Sequence, residues 1–232
     1  MKLAVISDIH GNIYALMKTL EDIDEQKVDK IICLGDLVGY GPHPNEVVAL
    51  IKRREIPCIK GNYDASVVDG DYTYIRNTAI NSFALPWATN EVRIANKYFL
   101  DSLPTSLNYT FNGVNFLFTH GSPNAINDYL FEDAANTIEV MNQLEDDVLV
   151  CAHTHIPCAK KYGDKLLINV GSVGKPKIGK PNPTYAIIEI EENGEVKVTF
   201  RYLEYEFKRI VKDCTMLNFP SAITSSYETG KE

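Results

Sequence analysis

Two kinds of apolar run alternate along this chain, and their order predicts its layers. Residues 2–7 form a continuous apolar stretch closed by polar residues, the mark of a strand covered on both faces. Ile13, Leu16, Met17, Leu20 and Ile23 then fall on one face at helical spacing, with Asn12 placed to cap that helix. A second short strand follows at residues 31–34. The loop after it, G-D-L-V-G-Y-G-P-H-P, is rich in turn formers and leads into a helix over 45–54 with Pro44 at its start. Residues 56–59 supply a third strand. Strand, helix, strand, helix, strand is the pattern of a parallel sheet with covering helices.

The pattern changes after residue 66. Ile80, Phe83, Ala84 and Trp87 predict one helix in spite of Pro86, and Val92, Ala95, Phe99 and Leu100 predict another. Residues 66–104 therefore read as a helical, lid-like insertion. Asn112-Gly113 is the strongest hairpin signal in the chain, flanked by alternating apolar residues. A helix is expected near 132–144 and a buried strand at 148–151. Strands over 159–203 turn at Gly163-Asp164 and at Asn193-Gly194. A last helix is expected to start near Glu204, and residues 221–232 read as a flexible tail. The fold expected is α/β, a four-layer α/β/β/α sandwich of two mixed sheets flanked by helices, forming one domain over 1–220.

Side chains with metal-binding chemistry stand at the ends of these runs. They are Asp8 and His10, Asp36, Asn62, His120, and the pair His153 and His155, which together use four of the five histidines. Asp8, Asp36 and Asn62 reach the C-terminal edge of the first sheet by three separate routes, and that edge is where open α/β sheets bind ligands. Asp8 and His10, two apart on backbone read as extended, can chelate one ion, and His153 with His155 repeats the spacing. A lone carboxylate at Asp36, ending a buried strand, would be costly; a place between two cations removes the cost. Asn62 adds a neutral oxygen. Singly, each residue has a plainer reading as a cap, a turn former or a hydrogen-bonded partner. Together they point to two divalent ions held by imidazole and carboxylate, a device for attacking phosphate esters with water.

Composition narrows the class. Apolar residues make up 45% and charged residues 23%, ordinary for a globular protein. A net charge of −8 sets long nucleic acid aside as a partner, although metal ions can still capture a small anion locally. Five cysteines without a C-x-x-C spacing read as reduced and structural. No apolar run is long enough for a membrane span, and an acid as early as Asp8 leaves no room for a secretory leader, so a cytoplasmic location is expected.

In the order D-x-H, G-D-x-x-G, G-N-x-D, H-G and H-T-H, these clusters resemble the calcineurin-like metallophosphoesterase superfamily. The resemblance is closest to its small bacterial and archaeal branch of YfcE-like phosphodiesterases and diadenosine-tetraphosphatase-related proteins. It runs from Asp8 to His155 and extends to N-V-G-S at 169–172. It implies that Asp8, His10, Asp36 and His155 hold one ion and Asp36, Asn62, His120 and His153 the other, with Asp36 shared. The ions implied are manganese, iron, zinc or nickel. The reaction implied is in-line hydrolysis by a hydroxide bridging the ions, with no covalent intermediate.

One departure bears on substrate. Tyr63 stands where many relatives have a histidine that helps the leaving group depart, and a phenol of pKa about 10 is a poorer proton donor. Asp64 then either orients that group or only caps the following segment. His43, between two prolines, either supplies the missing acid or is an exposed loop residue. Asn12 is a helix cap, a phosphate ligand at a helix N-terminus, or both. Lys175, Lys177 and Lys180 form a local basic loop that either holds distal phosphates or is simply solvated. Tyr72, Tyr74, Phe83 and Trp87 either stack a nucleobase or pack helices.

The function expected is a dinuclear metal-dependent phosphoesterase acting on a small phosphodiester or phosphoanhydride, with nucleotides favoured. The alternatives are a protein serine/threonine phosphatase and a non-catalytic scaffold of the same fold.

Overall fold

The computed structural model describes residues 1–231. β1 (Lys2–Ile6) is followed by α1 (Ile13–Gln26), β2 (Lys30–Cys33) and α2 (Pro44–Arg53). Asn12 caps α1 by accepting from Ala15 N at 3.1 Å, and Pro44 opens α2, both as expected. The expected third strand is reduced to a single parallel bridge between Cys33 and Cys58. Pro57 has no N–H to give to a ladder, so the extended segment cannot pair further as a regular strand.

Four helices and a hairpin make the centre of the chain. α3 (Asn62–Asp69) was not foreseen; α4 (Ala79–Glu91) keeps Pro86 inside it, and α5 (Ile94–Asp101) follows. β3 (Ser106–Phe111) and β4 (Val114–Thr119) pair through Asn112 and Gly113, whose φ values of +50° and +82° suit a tight turn of the mirror-image type. α6 (Ala135–Gln143) and β5 (Val148–Cys151) come next. β6 (Cys158–Tyr162), β7 (Lys165–Asn169), β8 (Thr184–Ile190) and β9 (Val196–Tyr202) complete the sheets. α7 (Phe207–Met216) and α8 (Ser221–Thr229) close the described chain. α8 corrects the expectation of a flexible tail: Ile223 and Tyr227 are buried against the main core, and Gly179 N donates to Gly230 O. Residue 232, the last of that expected tail, lies outside the described residues.

The strands form two mixed sheets, ordered β2-β1-β8-β9 and β3-β4-β5-β7-β6. Alternation along β1 shows how they stack. Leu3 and Val5 face Phe116, Phe118, Val150 and Ile168 of the other sheet, whereas Ala4 and Ile6 face Leu16, Val47 and Ile210 of the helices. On the far side α6 covers the second sheet with Met141 against Leu149 and Leu167. The layers are helix, sheet, sheet and helix, as the apolar pattern predicts. The five cysteines are all free, four of them buried. No helix among the described residues is long and apolar enough to cross a membrane.

Candidate metal centre

β1, β2, β4 and β5 each end at one edge of the two sheets, and the chain beyond each end carries a candidate ligand. Asp8 and His10 follow β1, Asp36 follows β2, His120 follows β4, and His153 with His155 follow β5; Asn62 opens α3. The backbone there is not extended, as the spacing of Asp8 and His10 had suggested. Asp8, His10, Asp36, His153 and His155 have φ values of +52°, +47°, +53°, +67° and +63°. Each left-handed residue of this kind costs about 1 kcal/mol or more, so the surroundings must impose it. They do so through backbone bonds between the loops: Asp8 N to Gly35 O, His10 N to Asp36 O and Gly174 N to Asp8 O, all 2.9–3.0 Å. Gly61 is needed because a Cβ there would lie 2.1 Å from Asp36 Oδ1.

Two groups of buried donor atoms result. Asp8, His10 and His155 form one and Asp36, His120 and His153 the other, the donor atoms within each lying inside 4.8 Å of one another. In the first, His155 Nε2 is 3.2 Å and His10 Nε2 3.6 Å from Asp8 Oδ1, and the two nitrogens are 3.3 Å apart. In the second, His120 Nε2 is 3.3 Å from Asp36 Oδ2 and 2.9 Å from Asn62 Oδ1. Asp36 Oδ2 also lies 3.7 Å from His10 Nε2, so this oxygen reaches toward both groups.

The hydrogen bonds leave the inward atoms as acceptors. Asp8 Oδ2 accepts from His153 N and Asp36 Oδ1 from Tyr63 N, while Asp8 Oδ1 and Asp36 Oδ2 have no hydrogen-bond partner among the described residues. The Nδ1 atoms of His10, His120 and His155 face the carbonyls of Val38, Leu34 and Lys175. Carbonyls only accept, so these Nδ1 atoms carry hydrogen, and each ring in its neutral form presents the Nε2 lone pair to the site. Buried lone pairs and carboxylate oxygens crowded within 4 Å repel one another unless a cation sits among them. The donor set of imidazole, carboxylate and amide oxygen fits first-row transition ions better than calcium or magnesium.

Electrostatics agree. Burial opposes ionisation of Asp8 and Asp36, but the neighbouring imidazoles hold both carboxyls below their usual range. Burial also works against a charged His120, yet the Asp36 carboxylate raises its pKa to about 10. Burial takes His153 down to about 3 and His155 down to about 4, so both are neutral and ready to donate a lone pair.

Beyond these seven residues the expectations are sorted by contact. Asp64 does not reach the site: its oxygens accept from Leu37, Val38 and Gly61 N–H groups, so it clamps the Asp36 loop to the start of α3. Burial and the Asp36 charge raise its pKa to about 7. His43 is corrected likewise, since its Nε2 lies 2.9 Å from Asp213 Oδ2 and its ring packs edge-on to Tyr14, outside the cavity lining. Asn12 spends its oxygen on the cap and its amide on Gly174 O and Tyr205 OH, which leaves nothing for a phosphate. Lys175 is 1% exposed with Nζ 4.5 Å over the Tyr40 ring, neither a solvated residue nor a cavity residue. Phe83 and Trp87 pack on Phe219, and Tyr72 bonds Thr89.

Tyr63 and Lys177 do line a cavity of about 180 Å³ that opens from Asn62, His153 and His155. The Tyr63 hydroxyl bonds to Tyr40 and donates to Asn81 Oδ1 at 2.8 Å; burial keeps its pKa well above that of a free phenol. Tyr74 lines the same space, and its carbonyl accepts from Asn62 Nδ2 at 3.3 Å. Sequence reasoning missed Tyr40, Thr73, Ile75, Arg76, Asn81, Asn127 and Tyr129, which complete the wall. No spacing rule marks them, because each comes from a loop or helix start whose place depends on the tertiary fold.

Residues 1–193 match the family model of the calcineurin-like phosphoesterase superfamily domain. An uncharacterized protein of Methanocaldococcus jannaschii is 35% identical over 224 residues, 89% of each chain. The phosphodiesterase YfcE of Escherichia coli is 28% identical over 191 residues, 78% of this chain and 84% of that protein. Among solved structures, a metallophosphoesterase from Sphaerobacter thermophilus superposes with a TM-score of 0.83 at 26% identity, covering 99% of this chain and 100% of that one. Strand-end acids and histidines, two donor groups at one sheet edge, and a family match across most of the chain converge: this protein belongs to the calcineurin-like phosphoesterase superfamily and is a hydrolase acting on phosphate esters.

Proposed function

We propose that the protein is a two-ion phosphodiesterase acting on small phosphodiesters or phosphoanhydrides, nucleotides above all. The observation that carries this reading is the pair of donor groups with Asp36 Oδ2 reaching toward both. In this reading Asp8, His10 and His155 hold one ion, Asn62, His120 and His153 the other, and Asp36 is shared. The ions would be manganese, iron, zinc or nickel. When bound, such ions draw charge from the phosphoryl oxygens and lower the pKa of water to roughly 7.

The chain's own residues then set substrate. The carbonyl-anchored imidazoles hold their Nε2 atoms toward the site without reorganising, which favours the transition state. Tyr63 keeps its proton across neutral pH and shares it with Asn81, so it is a weak source of protons for a leaving alkoxide. Substrates that expel a stable anion suit such a site, as phosphoanhydrides and aryl diesters do. A cavity of about 180 Å³ is smaller than the ~300 Å³ at which pockets begin to engulf a drug-sized ligand. It admits a reacting phosphoryl group and one substituent, with the rest of the substrate outside. Tyr74, 42% exposed at this cavity, offers a face on which a base can stack. Tyr74 and its neighbours come from the 66–104 segment, which acts as a lid in this reading.

The test is a substrate panel on protein loaded in turn with manganese, iron, zinc and nickel. Bis(p-nitrophenyl) phosphate and a diadenosine polyphosphate should be hydrolysed faster than a phosphomonoester. A monoester preference, or no turnover with any ion, would defeat the proposal.

A further inference from the structure

Residues 70–78, between α3 and α4, form a strap with no helix or strand of its own. Thr73, Ile75 and Arg76 of this strap line two cavities, the one of about 180 Å³ beside the candidate metal ligands and another of about 410 Å³. At one end stands Gly70, a left-handed residue with φ of +65° that ends α3 and has no atom within 4 Å of where a Cβ would stand. At the other stands Thr78, which caps α4 by accepting from Asn81 N at 3.2 Å. A segment hinged at two helix ends, with open volume beside it, can swing without disturbing the core.

The strap is seated on the side of the metal centre that carries Asn62, His120 and His153. Tyr74 O accepts from Asn62 Nδ2 at 3.3 Å, and Asn62 Oδ1 lies 2.9 Å from His120 Nε2. The Arg76 guanidinium lies 5.4 Å over the Tyr129 ring, and that ring lies on His153 with centroids 4.1 Å apart. Both seats rest on groups that coordination would fix. Coordination through Asn62 Oδ1 draws charge from the amide and makes its N–H a stronger donor to Tyr74 O. Neither His153 nitrogen has a hydrogen-bond partner among the described residues, so its ring is oriented by packing on Tyr129. Coordination through one nitrogen would lock that ring, and with it the stack of Tyr129 and Arg76.

We infer that the 70–78 strap is a lid coupled to the ion of the second group: it seats when that ion binds and swings out when the ion leaves. The ion then builds the cavity wall before substrate enters. This rests on the two-ion reading. By linkage, whatever factor the ion adds to seating of the strap, seating adds to the affinity for the ion.

Trypsin reads the strap directly, because Arg76 is the only lysine or arginine between Lys60 and Arg93. Cleavage after Arg76 needs a stretch of extended chain, so with dilute protease its rate follows the unseated fraction. Saturating manganese should slow this cut by about 5- to 150-fold, the usual range for coupling between two sites, and leave cleavage of the denatured chain unchanged. In His155→Ala the ion remaining in the second group should still protect; in His153→Ala the ion remaining in the first group should not. Tyr129→Leu removes the ring between Arg76 and His153. It should lose most of the protection and weaken the second ion by the same factor, whereas Tyr129→Phe should retain both. Circular dichroism checks that each variant folds, and metal analysis counts the ions on the same samples. Two ions bound with no change in cleavage would overturn the inference, as would protection that survives His153→Ala and disappears in His155→Ala. Protein that binds no ion would instead defeat the two-ion reading, and the inference with it.

Discussion

In the group of Asp8, His10 and His155, both rings are held from behind by a backbone carbonyl; in the group of Asp36, His120 and His153 only His120 is. His153 rests instead on the face of Tyr129, and neither of its ring nitrogens has a hydrogen-bond partner among the described residues. The second group borders the cavity through Asn62 and His153, the first through His155 alone, and Asn62 bonds to the carbonyl of Tyr74 in the 66–104 segment. The first group is thus the more firmly anchored to the backbone, and the second the more open to the cavity. A ring locked in one tautomer holds its metal about 10- to 100-fold better than a loose one. The two proposed ions should therefore differ in affinity, and the weaker one should be the one that feels substrate.

The largest effect tests what the groups share. Asp36→Asn should lower kcat on the order of a thousandfold with the fold intact by circular dichroism, because both ions lose one charged oxygen. Metal analysis should show both sites weakened. Near-normal rates would remove Asp36 from between the groups and leave two unrelated clusters.

Next comes a change that touches no ligand. A Cβ on residue 61 would stand 2.1 Å from Asp36 Oδ1 and 2.2 Å from Asp36 N, both attached to a left-handed residue that cannot give way cheaply. Gly61→Ala should displace Asp36 and lower activity by about a hundredfold, the usual result of moving a catalytic group by an ångström. Retained activity would show that the Asp36 loop is softer than its hydrogen bonds indicate.

The asymmetry itself is read by metal release. Titration with a chelator should remove one ion equivalent before the other, and His153→Ala should abolish the weaker phase, His155→Ala the stronger. Protons give a second readout. With its pKa raised to about 10 by Asp36, against the pull of burial, His120 carries a proton at neutral pH that must leave before it can ligate. His155, at about 4, has none to lose. Affinity in the weaker phase should therefore rise with pH up to about 10, and calorimetry in buffers of different ionisation enthalpy should show more proton release there. Equal affinity and equal proton release would erase the distinction between the groups.

How much of this was legible in the sequence depends on the reach of each signal. All seven proposed ligands could be picked out, because each stands at the end of an apolar run and strand ends are set by local pattern. The pairing of His155 with Asp8 rather than with its neighbour His153 could not be derived from spacing alone; the left-handed backbone at both histidines turns the two rings to different groups. Asp64, His43 and Asn12 have the right chemistry but spend it on Gly61 N, Asp213 and Gly174 O, partners that only the folded chain supplies. α8 was missed because its buried face is only Ile223, Ser226 and Tyr227, too sparse a stripe to show a period. The cavity wall was missed for the opposite reason: it has no period at all.

A smaller effect concerns the leaving group. Tyr63→His places an imidazole beside Tyr40 and Asn81, at the edge of the cavity shared with the second group. Phosphomonoester hydrolysis should improve, on the order of tenfold, with diester turnover changed less. No change would show that proton supply does not set the substrate preference.

The smallest effect on the site, and a check that the others are not general losses of stability, lies on the far side of the first sheet. Asp22 accepts from Tyr185 OH at 2.5 Å and from Arg201 Nη2 at 2.7 Å. Burial opposes its ionisation, but Arg201 and Tyr185 outweigh it and depress the carboxyl pKa. A depressed pKa means that the charged form is favoured by folding. The stabilisation is therefore complete above the unfolded value of about 3.9 and is lost as pH falls through the lower folded value. Asp22→Asn should then cost about 1.5–3 kcal/mol at pH 7, the range for hydrogen bonds to a charged group. That corresponds to a fall in Tm of roughly 3–12 °C for a chain of this size. The gap between variant and wild type should narrow as the pH drops below about 3.9, because the wild-type carboxyl is then losing its charge as well. Activity at 25 °C, metal content and both chelator phases should match the wild type. A loss of either phase would mean that the two groups respond to the stability of the whole sheet rather than to their own anchoring.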